Sequence, residues 1–148
     1  MRHVLIGFGL ALSACAPPVA DSIAASTTNS IYWSDGDSGR IDGMKFRLAN
    51  VDAPETGGVG ARGGAKCEAE RVIGYDAKAF MVELTREADL VITSNSGPDR
   101  YGREVITLSA NGQDVARAGI AAGHLGEWPH KGRRALTKKP DWCSAASK

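Results

Sequence analysis

Residues 44–56 read Met44-Lys45-Phe46-Arg47-Leu48-Ala49-Asn50-Val51-Asp52-Ala53-Pro54-Glu55-Thr56. Met44, Phe46, Leu48 and Asn50 alternate with Lys45, Arg47, Ala49 and Val51, the period of two of a half-buried strand, so Arg47 points away from Phe46 and Leu48. Asp42-Gly43 just before it is a tight turn, which makes residues 44–51 the returning arm of a hairpin whose first arm is residues 38–41. Ile31-Tyr32-Trp33 reads as a strand ahead of both. Downstream of Pro54, the glycine-rich residues 57–64 are too permissive in backbone for regular structure and are expected to form a mobile loop. A helix follows over residues 66–88, with Val72, Ala79, Phe80, Val82 and Leu84 on or near one face. Leu90, Val91, Ile92 and Thr93 mark a β-branched strand over residues 89–95. After the turn Ser96-Gly97-Pro98, residues 104–110 are its partner, and a second helix over residues 115–122 ends at Gly123. This order predicts a mainly β chain with α elements, a five-stranded OB-fold barrel with two to three helices.

The 148 residues have room for one modest core, and the 43% hydrophobic and 24% charged content is ordinary for a globular domain. Residues 1–14, with Arg2 and His3 ahead of an apolar run, read as an export signal too short to span a bilayer. Leu12-Ser13-Ala14-Cys15 resembles the lipobox of bacterial lipoproteins, which makes Cys15 a lipidation site and the membrane a partner. An ordinary secretory signal cut after Ala20 is the alternative. The protein is expected to be exported, as a cell-envelope lipoprotein or free in the periplasm or medium. Residues 15–29 read as a flexible tether and residues 30–148 as the domain. The 18 basic and 17 acidic side chains come into balance once Arg2 leaves with the signal, so bulk attraction for polyanions is weak. The basic residues Lys131, Arg133, Arg134, Lys138 and Lys139 are either a local contact for one or a solvated tail. Once Cys15 is lipidated or lost, Cys67 and Cys143 remain, and an oxidising compartment favours a disulfide between them over two separate thiols. No zinc-like spacing of Cys and His is present.

Asp37, Arg47, Asp52 and Glu55 fall within residues 37–55, and Arg103 returns in Asp99-Arg100-Tyr101-Gly102-Arg103. Two carboxylates can hold a hard cation, a third can handle a water molecule, and two guanidiniums can grip a phosphoryl group as its charge grows. Taken singly, each has a structural explanation as a turn, strand or hairpin residue. His124 and His130 have neither a nucleophile motif nor a second ligand at metal spacing and are expected to be surface or core residues. Trp128 and Trp142 are expected to pack near the end of the domain rather than stack on bases.

Asp35-Gly36-Asp37-Ser38, Arg47-Leu48, Val51-Asp52-Ala53-Pro54-Glu55-Thr56 and Asp99-Arg100-Tyr101-Gly102-Arg103 resemble, in order and spacing, the signature of the staphylococcal-nuclease-like (thermonuclease) family, over about residues 30 to 130. The resemblance implies a Ca²⁺-dependent endonuclease that cuts DNA and RNA with little sequence preference and leaves 3′-phosphate ends. It implies Asp37, Asp52 and the main-chain carbonyl of Ala53 as metal ligands, and Arg47, Glu55 and Arg103 as catalytic residues. Tyr101, with Arg100 beside it, falls at the bound phosphate. A monomer without a protein partner is expected. The sequence departs from the pattern at Ser38, Gly39 and Ala53. Gly39 is expected to weaken its strand and loosen the loop that carries Asp37. A catalytically weak or inactive OB-fold module that binds nucleic acid or protein is the alternative reading.

Overall fold

The computed structural model describes residues 27–28 and 30–145. The expected signal segment, Cys15 and most of the expected tether lie outside them. The strands are β1 (Thr27–Thr28), β2 (Ile31–Trp33), β3 (Ser38–Ile41), β4 (Met44–Leu48) and β5 (Val51–Asp52), followed by helix α1 (Glu68–Thr85). Next come β6 (Leu90–Pro98), β7 (Glu104–Ala110), β8 (Gln113–Asp114) and α2 (Val115–Ala121). The chain closes with β9 (Gly126–Glu127), β10 (His130–Lys131), β11 (Arg134–Ala135) and α3 (Trp142–Ala145). The protein is thus mostly strands with three helices among the described residues. All five expected strands are present, and Thr27 and Thr28, inside the expected tether, pair with Val91 and Leu90.

The main sheet runs β1-β6-β7-β4-β3-β2, with β8 added to β7. Its ladders are antiparallel except β4 against β7, which pair in parallel from Phe46↔Glu104 to Leu48↔Ile106. Among the described residues the ladder does not close into a ring, and β5 leaves the main sheet to pair with β9. The core holds Trp33, Ile41, Phe46, Leu48, Ile106 and Leu108 of the sheet together with Met81 of α1 and Val115 of α2. Trp33 meets the Phe46 ring edge-on at 5.1 Å. Its indole N–H donates to Thr85 Oγ1 at 3.0 Å, so its one polar atom is satisfied within the core.

Two expectations need correction. The buried stripe of α1 is Glu70, Gly74, Ala77, Met81 and Thr85. Phe80 and Leu84 pack beside it, but Val72, Ala79 and Val82 face solvent. Toward its N-terminal half the inner face is small and polar because the backbone of Pro54 and Glu55 lies against Gly74, and of the buried stripe only Met81 brings a large apolar side chain to the core. Nor is Gly39 a weak point in its strand: a Cβ there would stand 2.0 Å from Tyr32 O and 3.1 Å from the Phe46 ring. Glycine is what allows β2 and β4 to close on β3. The loop at residues 57–65 is irregular, as expected, but braced by its own backbone hydrogen bonds, including Ala65 N to Gly57 O at 3.2 Å.

Candidate functional site

Asp37 ends the β2–β3 turn, and Leu48 N donates to Asp37 O at 2.8 Å, tying that turn to the end of β4. Ser38 pairs with Arg47 in the ladder, so strand register alone makes Asp37 and Arg47 neighbours. At the β4–β5 corner Asn50 has φ 60°, a left-handed conformation that asparagine tolerates. Its side-chain oxygen accepts from His130 N at 2.9 Å and its carbonyl from Trp128 N at 2.8 Å, drawing residues 128–130 over the same rim.

Residues 52–56 then lie against α1. Gly74 admits them: a Cβ on it would come 2.6 Å from Glu55 O and 2.9 Å from Pro54 O. The buried Glu70 carboxylate fixes them, accepting from Glu55 N at 3.4 Å and from Lys66 N at 2.7 Å. Thr56 is held in turn by Asp35, whose Oδ1 accepts from the threonine hydroxyl. Ala53 is buried, its methyl facing Gly36 of the Asp37 turn.

The result is a chain of alternating charge. Arg47 Nη2 lies 3.1 Å from Asp37 Oδ2 and 3.6 Å from Asp52 Oδ1, and donates to Val51 O at 3.0 Å. Lys139 Nζ lies 3.2 Å from that same Asp52 Oδ1 and 3.1 Å from Glu55 Oε1. Asp52 Oδ2 accepts from the Trp142 indole at 2.8 Å. The Trp128 ring walls the cluster, with Arg47 Cζ 5.1 Å and Lys139 Nζ 5.9 Å from its centre.

Arg103 stands at the edge. Its Nε and Nη2 donate to Asp99 Oδ2 at 2.9 and 2.7 Å, while Asp99 Oδ1 takes Tyr101 N and Arg103 N. It lines a cleft with Ser34 and Ser38 on either side of the Asp37 turn, and its charge is felt at Asp37. Tyr101 is exposed at the tip, with Arg100 Cζ 4.7 Å and Arg103 Cζ 5.4 Å from its ring centre.

Electrostatics follow from this packing. Burial pushes the Asp37 carboxyl up to about 6; Arg47 opposes the shift, and Asp52 and Glu55 reinforce it. Burial also raises Glu55, against the pull of Lys139. Lys139 loses hydration as well, but Asp52 and Glu55 outweigh that loss and hold its pKa above the ordinary lysine value.

The donor set fits a hard divalent cation. Asp37 and Asp52 turn carboxylate oxygens toward one point, now bridged by Arg47, and the buried Asp37 is under-compensated by that single guanidinium. Cys67, Glu70 and Cys143 also cluster, but both sulfurs are joined in the expected disulfide, with Cα atoms 6.1 Å apart.

Sequence reasoning missed Glu70, Gly74 and Lys139. In sequence Lys139 is one of five basic residues within 131–139, of which Lys131, Arg133, Arg134 and Lys138 are exposed while Lys139 is half-buried. The one signal that could have found it is Cys143, four residues on, whose pairing with Cys67 draws the C-terminal segment to α1. Trp142 packs as expected, with an unforeseen hydrogen bond to Asp52. His124 stacks on Phe80 at 4.6 Å.

No curated protein matches the chain. The family model described as staphylococcal nuclease homologue matches residues 45–134, more than half of the chain. That span includes Arg47, Asp52, Ala53, Glu55, Arg100, Tyr101 and Arg103, and leaves Asp37 and Lys139 outside. The chain belongs to the staphylococcal nuclease homologue family.

Proposed function

We propose that this protein is an exported Ca²⁺-dependent endonuclease that hydrolyses phosphodiester bonds of DNA and RNA with little sequence preference, leaving 3′-phosphate ends. The observation that carries this reading is the linked cluster of Asp37, Arg47, Asp52 and Glu55 on one rim of a nuclease-family fold. Asp37, Asp52 and the Ala53 carbonyl would hold the cation. Bound there, it supplies Lewis-acid neutralisation of phosphate charge. Glu55, more basic than an ordinary carboxylate because it is half buried, orients the attacking water or takes its proton. Arg47 and Arg103 present forked donors to the phosphoryl oxygens as the P–O5′ bond breaks. Tyr101 and Arg100, exposed beside Arg103, offer a ring and a charge to the adjoining phosphate and base.

Cleavage of single-stranded DNA in millimolar Ca²⁺, with excess chelator, and by a Glu55→Gln variant tests the assignment. Cleavage that stops with chelator and falls about 10²- to 10⁴-fold in the variant supports it. Equal cleavage under all three conditions refutes it. One observation favours a second reading, a module that binds nucleic acid without cutting: Lys139 occupies the two carboxylates the reaction needs. Oligonucleotide binding without turnover at any Ca²⁺ concentration selects that reading.

Export and a lipid anchor on Cys15 rest on residues 1–15 of the sequence. Incorporation of labelled fatty acid by the wild type but not by Cys15→Ser supports the anchor, and label in neither leaves a secreted protein.

A further inference from the structure

We propose that Lys139 is a built-in competitor for the cation site, whose ammonium sits on Asp52 and Glu55 and sets the Ca²⁺ concentration at which the site fills. The proposal rests on the metal-site reading above and goes beyond it.

Lys139 is not a loose surface lysine. The segment bearing it is pinned ahead of the residue by Leu136 N to Pro129 O at 2.9 Å and by the Trp128 indole to Thr137 O at 3.2 Å. Pro140 packs so closely on Gly126 that a Cβ there would meet its ring at 2.8 Å. Trp142 is hydrogen-bonded to Asp52, and Cys143 is joined to Cys67 at the start of α1. These ties aim the Lys139 stem at the acidic cluster.

The ammonium takes the same oxygen a cation needs. Asp52 Oδ2 is engaged by Trp142, so Oδ1 is the atom left to ligate, and Lys139 Nζ stands 3.2 Å from it. A calcium ion binds oxygen at about 2.3–2.6 Å, so ion and ammonium contend for one place. Lys139 Nζ also holds Glu55 Oε1 at 3.1 Å. Its displacement therefore lifts the ammonium from Asp52 Oδ1 and Glu55 Oε1 in a single event, leaving Arg47 Nη2, at 3.6 Å, as the other cation on that Asp52 oxygen. Lys138, one residue earlier, carries the same charge into solvent and provides the control.

The test is direct Ca²⁺ titration by calorimetry of the disulfide-intact protein, comparing wild type with Lys139→Met, Lys139→Gln and Lys138→Met. Methionine keeps an apolar stem of similar reach, and glutamine covers the case in which methionine packs poorly. Both Lys139 variants are expected to bind Ca²⁺ about tenfold more tightly, and Lys138→Met within about twofold of wild type. Unchanged or weaker binding in both Lys139 variants overturns the proposal. So does equal tightening in Lys138→Met, which would reduce the effect to bulk charge. Binding by none of the four proteins overturns both this proposal and the calcium reading, whereas clear binding without a shift overturns this one alone.

Discussion

At Asp37 the cost of burial exceeds the help from Arg47, and the carboxyl titrates near 6 rather than 3.8. A proton therefore competes with a cation there, and Ca²⁺ affinity is expected to fall as pH drops from 8 to 5, because Asp37 becomes neutral. Calorimetric titration across that range checks it, and affinity that stays flat contradicts it. The same shift affects stability with a definite sign. The folded value lies above the unfolded one, so the metal-free fold carries no penalty below pH 3.8 and a full penalty above about 6. Asp37→Asn is expected to stabilise the chelated protein at pH 7 by on the order of 2 kcal/mol, with no gain at pH 3; thermal melts at the two pH values measure it. Gly39 illustrates the limit of reading a residue alone. In sequence it is a weak point in a strand, whereas in the fold any Cβ strikes Tyr32 O. Gly39→Ala should cost about 1–3 kcal/mol in urea unfolding, and unchanged stability would show that β2 can shift to make room.

Among the elements, α1 does more than close the core. Its first turn is fixed by Cys67 Sγ accepting from Glu70 N and by Glu70 reaching back to Lys66 N, an arrangement close to a capping box. The same Glu70 carboxylate takes Glu55 N, so one buried side chain both starts the helix and places the segment that carries Asp52 and Glu55. Gly74 completes the seat. By helix propensity alone Gly74→Ala should add about 1 kcal/mol of stability. The contact with Glu55 O predicts the reverse, a net loss of about 1–2 kcal/mol and a fall in cleavage of about a hundredfold, because a displacement near 1 Å at Glu55 spoils its aim. A more stable, fully active variant would contradict this. Neither property of α1 is legible in sequence, for the same reason: apolar periodicity reports side chains packed on side chains, and in its first turns a backbone segment and a buried carboxylate take that place.

Across the whole molecule, the Cys67–Cys143 link joins the start of α1 to α3 over 76 residues of sequence. Constraining so long a loop in the unfolded chain is worth about 2–4 kcal/mol. Treatment with a dithiol, or Cys67→Ser with Cys143→Ser, is expected to lower the urea midpoint accordingly; an unchanged midpoint would mean that packing alone holds α3. The link also decides the composition of the site, since α3 brings Trp142 to Asp52 and its preceding segment brings Lys139 to Asp52 and Glu55.

Local signals in the sequence determined the five main strands, two helices and the identity of the acidic and guanidinium residues. Period-two alternation and the Asp42-Gly43 turn act within a few residues of chain, and Asp37, Arg47, Asp52 and Glu55 all fall within residues 37–55. Cysteine arithmetic reached further and gave the disulfide. Tertiary structure alone decided that Gly39 is a close contact, that Glu70 and Gly74 seat Glu55, and that Lys139 enters the acidic cluster. Each depends on groups 7 to 87 residues apart coming within a few ångströms, so that burial and charge, set by the assembled neighbours, override what any local pattern records.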